Sequence, residues 1–114
     1  MAVSELAKKK CEPCTAETPK LEGKKLEEMT RKLGGGWKIK ENRELEKEYK
    51  FKDFMGALAF TNRVAAVAEQ EGHHPEIALG WGHVKLNIWT HIINGLSEAD
   101  FVLAAKADAV LGPA

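Results

Sequence analysis

The chain has little of what would assign it to most functional classes. It has two cysteines, four prolines and one tyrosine among 114 residues. No apolar run approaches the roughly 20 residues of a membrane span, so no membrane role is expected. Neither charge is in surplus, since Lys plus Arg is 17 and Asp plus Glu is 17. Neutralising phosphates calls for a basic excess, so nucleic acid is not expected as the main partner. No serine or cysteine stands in a nucleophile motif, which leaves covalent catalysis unsupported. No glycine-rich loop has phosphate-binding spacing. The opening stretch, Met1 to Glu12, is polar without an apolar segment, so no secretion signal is expected. With only two cysteines, this points to the reducing cytoplasm.

What is present is the composition of an ordinary globule, 44% hydrophobic and 30% charged. At this length one domain is expected, burying roughly two-thirds of its unfolded surface. Residues 1–20 read as a flexible tail, with charge and turn formers but no periodicity, and residues 21–114 as the domain. Cys11-Glu12-Pro13-Cys14 has the spacing of half a zinc site. Two more ligands would be needed and no second cysteine pair exists, so the plainer reading is a surface thiol pair.

Along the domain the hydrophobic period changes repeatedly. Leu26, Met29 and Leu33 form one helical stripe over 22–33, ended by Gly34-Gly35-Gly36. Residues 37–40 and 43–51 alternate polar with apolar as a hairpin turning at Glu41-Asn42, with one wet face. Asp53 can cap a long helix over 53–71, whose stripe includes Ala57, Val64 and Ala68, widened by Phe60 and Val67. Gly72 breaks it. A second hairpin covers 76–81 and 83–91, with Val84, Leu86, Ile88 and Thr90 inward and His83, Lys85, Asn87, Trp89 and His91 outward. Ser97 and Asp100 fit a capping box opening a last helix over 98–111, whose few charges are scattered around the axis, so that it should be buried on most sides. The expected fold is an α+β two-layer αββαββα domain, a four-stranded antiparallel sheet with three helices on one face.

The chemistry-bearing residues gather in 69–100. Proline disfavours helix in the residue before it, so His73-His74-Pro75 must leave the helix and present both imidazoles at its end. His83 and His91 would lie roughly 27 Å apart on a straight strand at about 3.3–3.4 Å per residue, so only His91 can join the other two. Imidazole suits proton transfer near neutral pH. Glu69, one turn before His73, could orient it, and Asp100 could do the same for His91. Each also has a plainer reading. A His-His-Pro can simply end a helix, Asp100 can be a cap, Glu69 a solvated residue, and the tryptophans core or subunit contacts. Zinc binding by the three histidines ranks below acid–base use, because neighbouring histidines at a helix end converge poorly on one ion.

Glu69, His73-His74-Pro75, Trp81, His91 and Asp100 have the spacing by which the chain resembles the pterin-4a-carbinolamine dehydratase family, also known as a dimerisation cofactor of a homeodomain transcription factor. Gly36-Trp37, Phe51-Lys52-Asp53-Phe54, Thr61-Asn62-Arg63-Val64-Ala65, Thr90-His91 and Gly95-Leu96-Ser97-Glu98 extend the resemblance over roughly 21–111. It implies a homodimer or homotetramer that dehydrates 4a-hydroxytetrahydrobiopterin to quinonoid dihydropterin, recycling the cofactor of aromatic amino-acid hydroxylation, with no metal and no cofactor. It implies catalysis by His73, His74 and His91, with Glu69 and Asp100 in support. The pterin edge would be read by backbone around Gly72–His74 and Trp89–Ile92, that is Gly72, His73, His74, Trp89, Thr90, His91 and Ile92. Two other readings stay open: a non-catalytic dimerisation module, and a dehydratase-like protein acting on another pterin, for example in molybdopterin metabolism.

Overall fold

The computed structural model describes residues 6–11, 14–33 and 35–111. Its elements are helix α1 (Gly23–Lys32), strands β1 (Lys38–Lys40) and β2 (Glu44–Lys50), helix α2 (Phe54–Glu71), strands β3 (Glu76–Gly80) and β4 (His83–Ile88), and helix α3 (Glu98–Leu111). Short 3₁₀ turns stand at Leu6–Lys8 and His91–Ile93. The strands form one antiparallel sheet in the order β1-β2-β4-β3, so the α+β reading holds.

Local chemistry explains most boundaries. The β1–β2 turn places Glu41 at φ 52° and Asn42 at φ 57°, the left-handed pair that suits a tight hairpin. The Asp53 carboxylate accepts from Gly56 N at 2.7 Å and caps α2. Gly72, at φ 66°, ends α2 with its N–H on Ala68 O and Glu69 O. Helix α1 departs through an extended Leu33, and Gly34, read as part of its stop, lies outside the described residues.

The inward parity of the strands buries Leu45, Tyr49, Val84, Leu86 and Ile88 against Phe60, Val64 and Ala68 of α2 and Phe101 and Leu103 of α3. Helix α3 is buried from Ala99 through Ala105 and again at Ala107. This matches its lack of a polar side.

Lys47 breaks the pattern, because it shares inward parity with Leu45 and Tyr49. Its ammonium donates to Asp108 Oδ1 at 2.8 Å, over the rings of Trp37 and Tyr49. Tyr49 Oη donates to the same oxygen at 2.6 Å, and Trp37 Nε1 donates to Oδ2 at 2.9 Å. Burial and then the Asp108 hydrogen bond push the Tyr49 phenol up, so it stays a donor.

Two further findings differ from the sequence expectations. Strand β4 ends at Ile88, not residue 91, because Thr90 bridges to Gly95 around a turn. The N-terminal segment, read as a tail, adds Leu6 and Ala7 to the hydrophobic core. It is pinned to α3 where Lys106 Nζ donates to Ala7 O at 2.9 Å and Lys9 Nζ meets Glu98 Oε1 at 2.9 Å.

Candidate active site

The left-handed Gly72 turns the chain out of α2, and His73 N donates back to Ala68 O at 3.2 Å. The two imidazoles that follow enter different environments. The His73 side chain is only 12% exposed, with Nε2 at 2.6 Å from Oδ1 of the fully buried Asp100. The His74 side chain is 61% exposed, with Nε2 at 2.7 Å from Glu69 Oε1. Neither carboxylate holds the histidine expected of it. Glu69 holds His74 rather than His73, and Asp100 holds His73 rather than His91. The cause is the reversal at Gly72, which swings His73 inward across α3 and leaves His74 over the last turn of α2.

Asp100 combines two tasks. Its Oδ2 accepts from Ser97 N at 2.8 Å, half of the expected capping box, and from Thr90 Oγ1 at 2.7 Å. Oδ1 remains for His73. A carboxylate takes several donors, so capping does not exhaust it. A carboxylate can only accept, so it calls for a hydrogen on His73 Nε2, and any lone pair the ring carries then lies on Nδ1.

His91 arrives from the other side. Thr90 and Gly95 exchange backbone hydrogen bonds of 2.9 and 3.3 Å, and the enclosed turn, closed by Asn94 at φ 47°, projects His91 and Ile92. The His91 ring stacks on Trp89, centroids 4.3 Å apart and planes 9° apart, giving a flat aromatic surface.

Together these segments enclose a cleft of about 370 Å³ that holds His73, His74 and His91 with Gly72, Trp89, Thr90 and Ile92. Its volume suits a small flat ligand. Cys14, Pro75 and Glu76 also line it and were not singled out for the site from sequence. Pro75 and Glu76 could have been inferred from adjacency to His74, but Cys14 carried no local signal. Glu69 and Asp100 stand behind the histidines. Trp81, part of the recognition pattern, is 71% exposed on the β3–β4 turn and does not line the cleft. Among the described residues, no group of three or more His, Cys, Asp or Glu is arranged to hold a metal ion. No helix of the described residues is long and apolar enough to cross a membrane.

The family model for pterin 4 alpha carbinolamine dehydratase matches residues 19–110. The chain belongs to that family. A candidate pterin-4-alpha-carbinolamine dehydratase of Alkaliphilus metalliredigens is 47% identical over 106 residues, covering 93% of this chain and 96% of the relative. One from Rickettsia bellii is 48% identical over 103 residues, covering 90% and 91%. The crystal structure of a transcriptional coactivator/pterin dehydratase from Brucella melitensis is similar at TM-score 0.77 and 34% identity, covering 82% of this chain and all of that one. A pterin dehydratase-like protein identified as a RuBisCO assembly factor in the alpha-carboxysome is similar at TM-score 0.60 and 27% identity, covering 69% and 93%. Proteins similar to this chain are thus named for coactivator and assembly roles as well as for the reaction.

His83 lies at the far end of β4, its ring against Gly80, where a Cβ would collide with it. His83→Ala is therefore expected to leave kcat/KM of the dehydration within about twofold, the size of an ordinary surface change. A loss of tenfold or more in steady-state assays would contradict this placement.

Proposed function

We propose that the chain is a hydro-lyase that dehydrates 4a-hydroxytetrahydrobiopterin to quinonoid dihydropterin and water, recycling a tetrahydropterin cofactor in the cytoplasm. The observation that carries this reading is one cleft holding three imidazoles, with His73 braced by buried Asp100, in a chain of the dehydratase family. The reaction needs no covalent intermediate. The C4a–O bond breaks as the hydroxyl takes a proton, N5 gives up its proton, and the C4a–N5 double bond forms. His73 and His74 exchange these protons, with His91 on the hydroxyl or assisting. General acid–base transfers supply about 10²–10⁴-fold each, enough for a carbinolamine that already dehydrates readily. The pterin's amide-like edge is read by backbone around Gly72–His74 and Trp89–Ile92, with Trp89 and His91 offering a stacking surface.

A homodimer or homotetramer is part of the proposal, supported by exposed Phe54 and Met55 at the start of α2 and exposed Trp81. The same exposed side chains support a second reading, a non-catalytic binding module, which the neighbour identified as an assembly factor also favours. Stopped-flow dehydration of chemically generated 4a-hydroxytetrahydropterin separates the two. Acceleration by the folded chain supports the enzyme, and a folded chain without acceleration leaves the binding module.

A further inference from the structure

The Cys11-x-x-Cys14 pair is a motif that the dehydration leaves unused. Both residues are thiols. The segment before them is held on α3 by the Ala7 and Lys9 contacts, and Cys11 N donates to Glu71 Oε1 at the end of α2 at 2.8 Å. This anchoring carries Cys14 to the wall of the histidine cleft. There its Sγ lies 3.7 Å from Ser97 Oγ and 3.9 Å from Thr90 Oγ1. Those two hydroxyls lie 2.8 Å apart, and Thr90 donates to Asp100, which holds His73. One polar chain therefore runs from the Cys14 sulfur to the His73 ring.

Cys11 is different. Its Sγ donates to Ala99 O at 3.6 Å, away from the cleft lining. Burial, and then the Glu71 carboxylate, push its thiol up to about 12.

We propose that Cys14 is a thiol-modification site in the wall of this cleft, closed into a disulfide with Cys11 by low-molecular-weight disulfides, and that closure disturbs the Thr90–Ser97–Asp100 support of His73. The Cys14 thiolate attacks one sulfur of the small disulfide, whose S–S bond breaks, and the first small thiol leaves with the proton that Cys14 gave up. Cys11, deprotonated in turn, attacks the Cys14 sulfur of the mixed disulfide, and the second small thiol leaves with the Cys11 proton. Two protein thiols are oxidised while one small disulfide is reduced to two thiols. A disulfide holds its sulfurs about 2.05 Å apart and carries no S–H. Cys11 then loses its bond to Ala99 O, and Cys14 can no longer donate to Ser97 or Thr90. Cys14 lies in the cleft wall, so the mixed disulfide forms there first, and the raised Cys11 thiol slows the second step at neutral pH.

The test uses the full chain, labelled with ¹⁵N and treated with oxidised glutathione, with mass spectrometry following the cysteines. NMR of the histidine rings is recorded in the reduced and oxidised forms. Closure is expected to move the His73 ring signals and leave those of His83 in place. Cys14→Ser should show no change on treatment, and Cys11→Ser should stop with glutathione on Cys14. Unmoved His73 signals in a chain with the disulfide closed would overturn the proposal. So would glutathione appearing on Cys11 of the Cys14→Ser variant but not on Cys14 of the Cys11→Ser variant, or no reaction at either thiol. Resting on the dehydratase reading, closure is also expected to lower kcat about tenfold, the effect on a barrier of about one net hydrogen bond, with recovery in dithiothreitol. The ring signals are read without substrate, so a reduced chain that turns nothing over refutes the dehydratase reading separately.

Discussion

The His73→Ala/His74→Ala double variant is expected to fold and to lose about 10²–10⁴-fold in dehydration rate, the range that general acid–base transfer supplies. The two imidazoles have different structural weight. His74 is largely in water with Glu69, and its removal changes little packing. His73 is largely buried, and its removal takes one partner from Asp100. The carboxylate keeps Ser97 N and Thr90 Oγ1, so the stability cost stays near the about 1–3 kcal/mol of one lost charged hydrogen bond. Against a typical total of about 5–15 kcal/mol, the variant remains folded. Stopped-flow rates beside a circular-dichroism melt give both numbers. A folded double variant with wild-type turnover would remove these histidines from the chemistry.

Asp100→Ala is expected to fail in both respects, which separates it from the histidine variant. It removes the acceptor for His73, Thr90 and Ser97 N at once and uncaps α3. Leaving these donors buried without their acceptor costs about 1–3 kcal/mol apiece, beside roughly 1 kcal/mol for the cap. Asp100→Asn is the sharper probe of function, because it keeps the volume and one acceptor oxygen. With the amide oxygen kept on Ser97 N, the amide nitrogen faces His73 and can only donate, so His73 either loses that bond or takes the other tautomer, its lone pair turned toward the amide. Urea melts should rank wild type above Asn above Ala, while both variants lose most turnover. Two variants as active as wild type would show that Asp100 only caps the helix.

How far the sequence could be read depended on whether a feature was periodic or paired across distance. Period-two alternation located both hairpins, and helical spacing located α2 with its cap at Asp53 and its stop at Gly72. The three histidines and the segments around them share one cleft because proline after His74 forces a departure from the helix, a purely local rule. Each carboxylate serves a different histidine from the one its spacing suggests, because the Gly72 reversal decides the pairing and no spacing rule describes its direction. Lys47 stands inward on β2, and alternation alone names no partner for it there. What makes that position tolerable is Asp108, 61 residues later. Leu6 and Cys14 belong to a stretch without periodicity, and only the surface of α3 shows where they lie.

Helix α3 is the last of the described elements to be synthesised. Yet it supplies Asp100 to His73, covers the sheet with Phe101 and Leu103, and receives Leu6 on another side. The segment with Leu6 and Ala7 therefore waits for residues made well after it. Until positions 98–111 have left the ribosome, the N-terminal segment has nothing to dock on, and the hairpins and Phe60 lack their cover. For that interval the nascent chain carries open strand edges and bare apolar surface, the state most exposed to aggregation and to chaperones. The cleft around His73 is thus complete only once α3 has emerged.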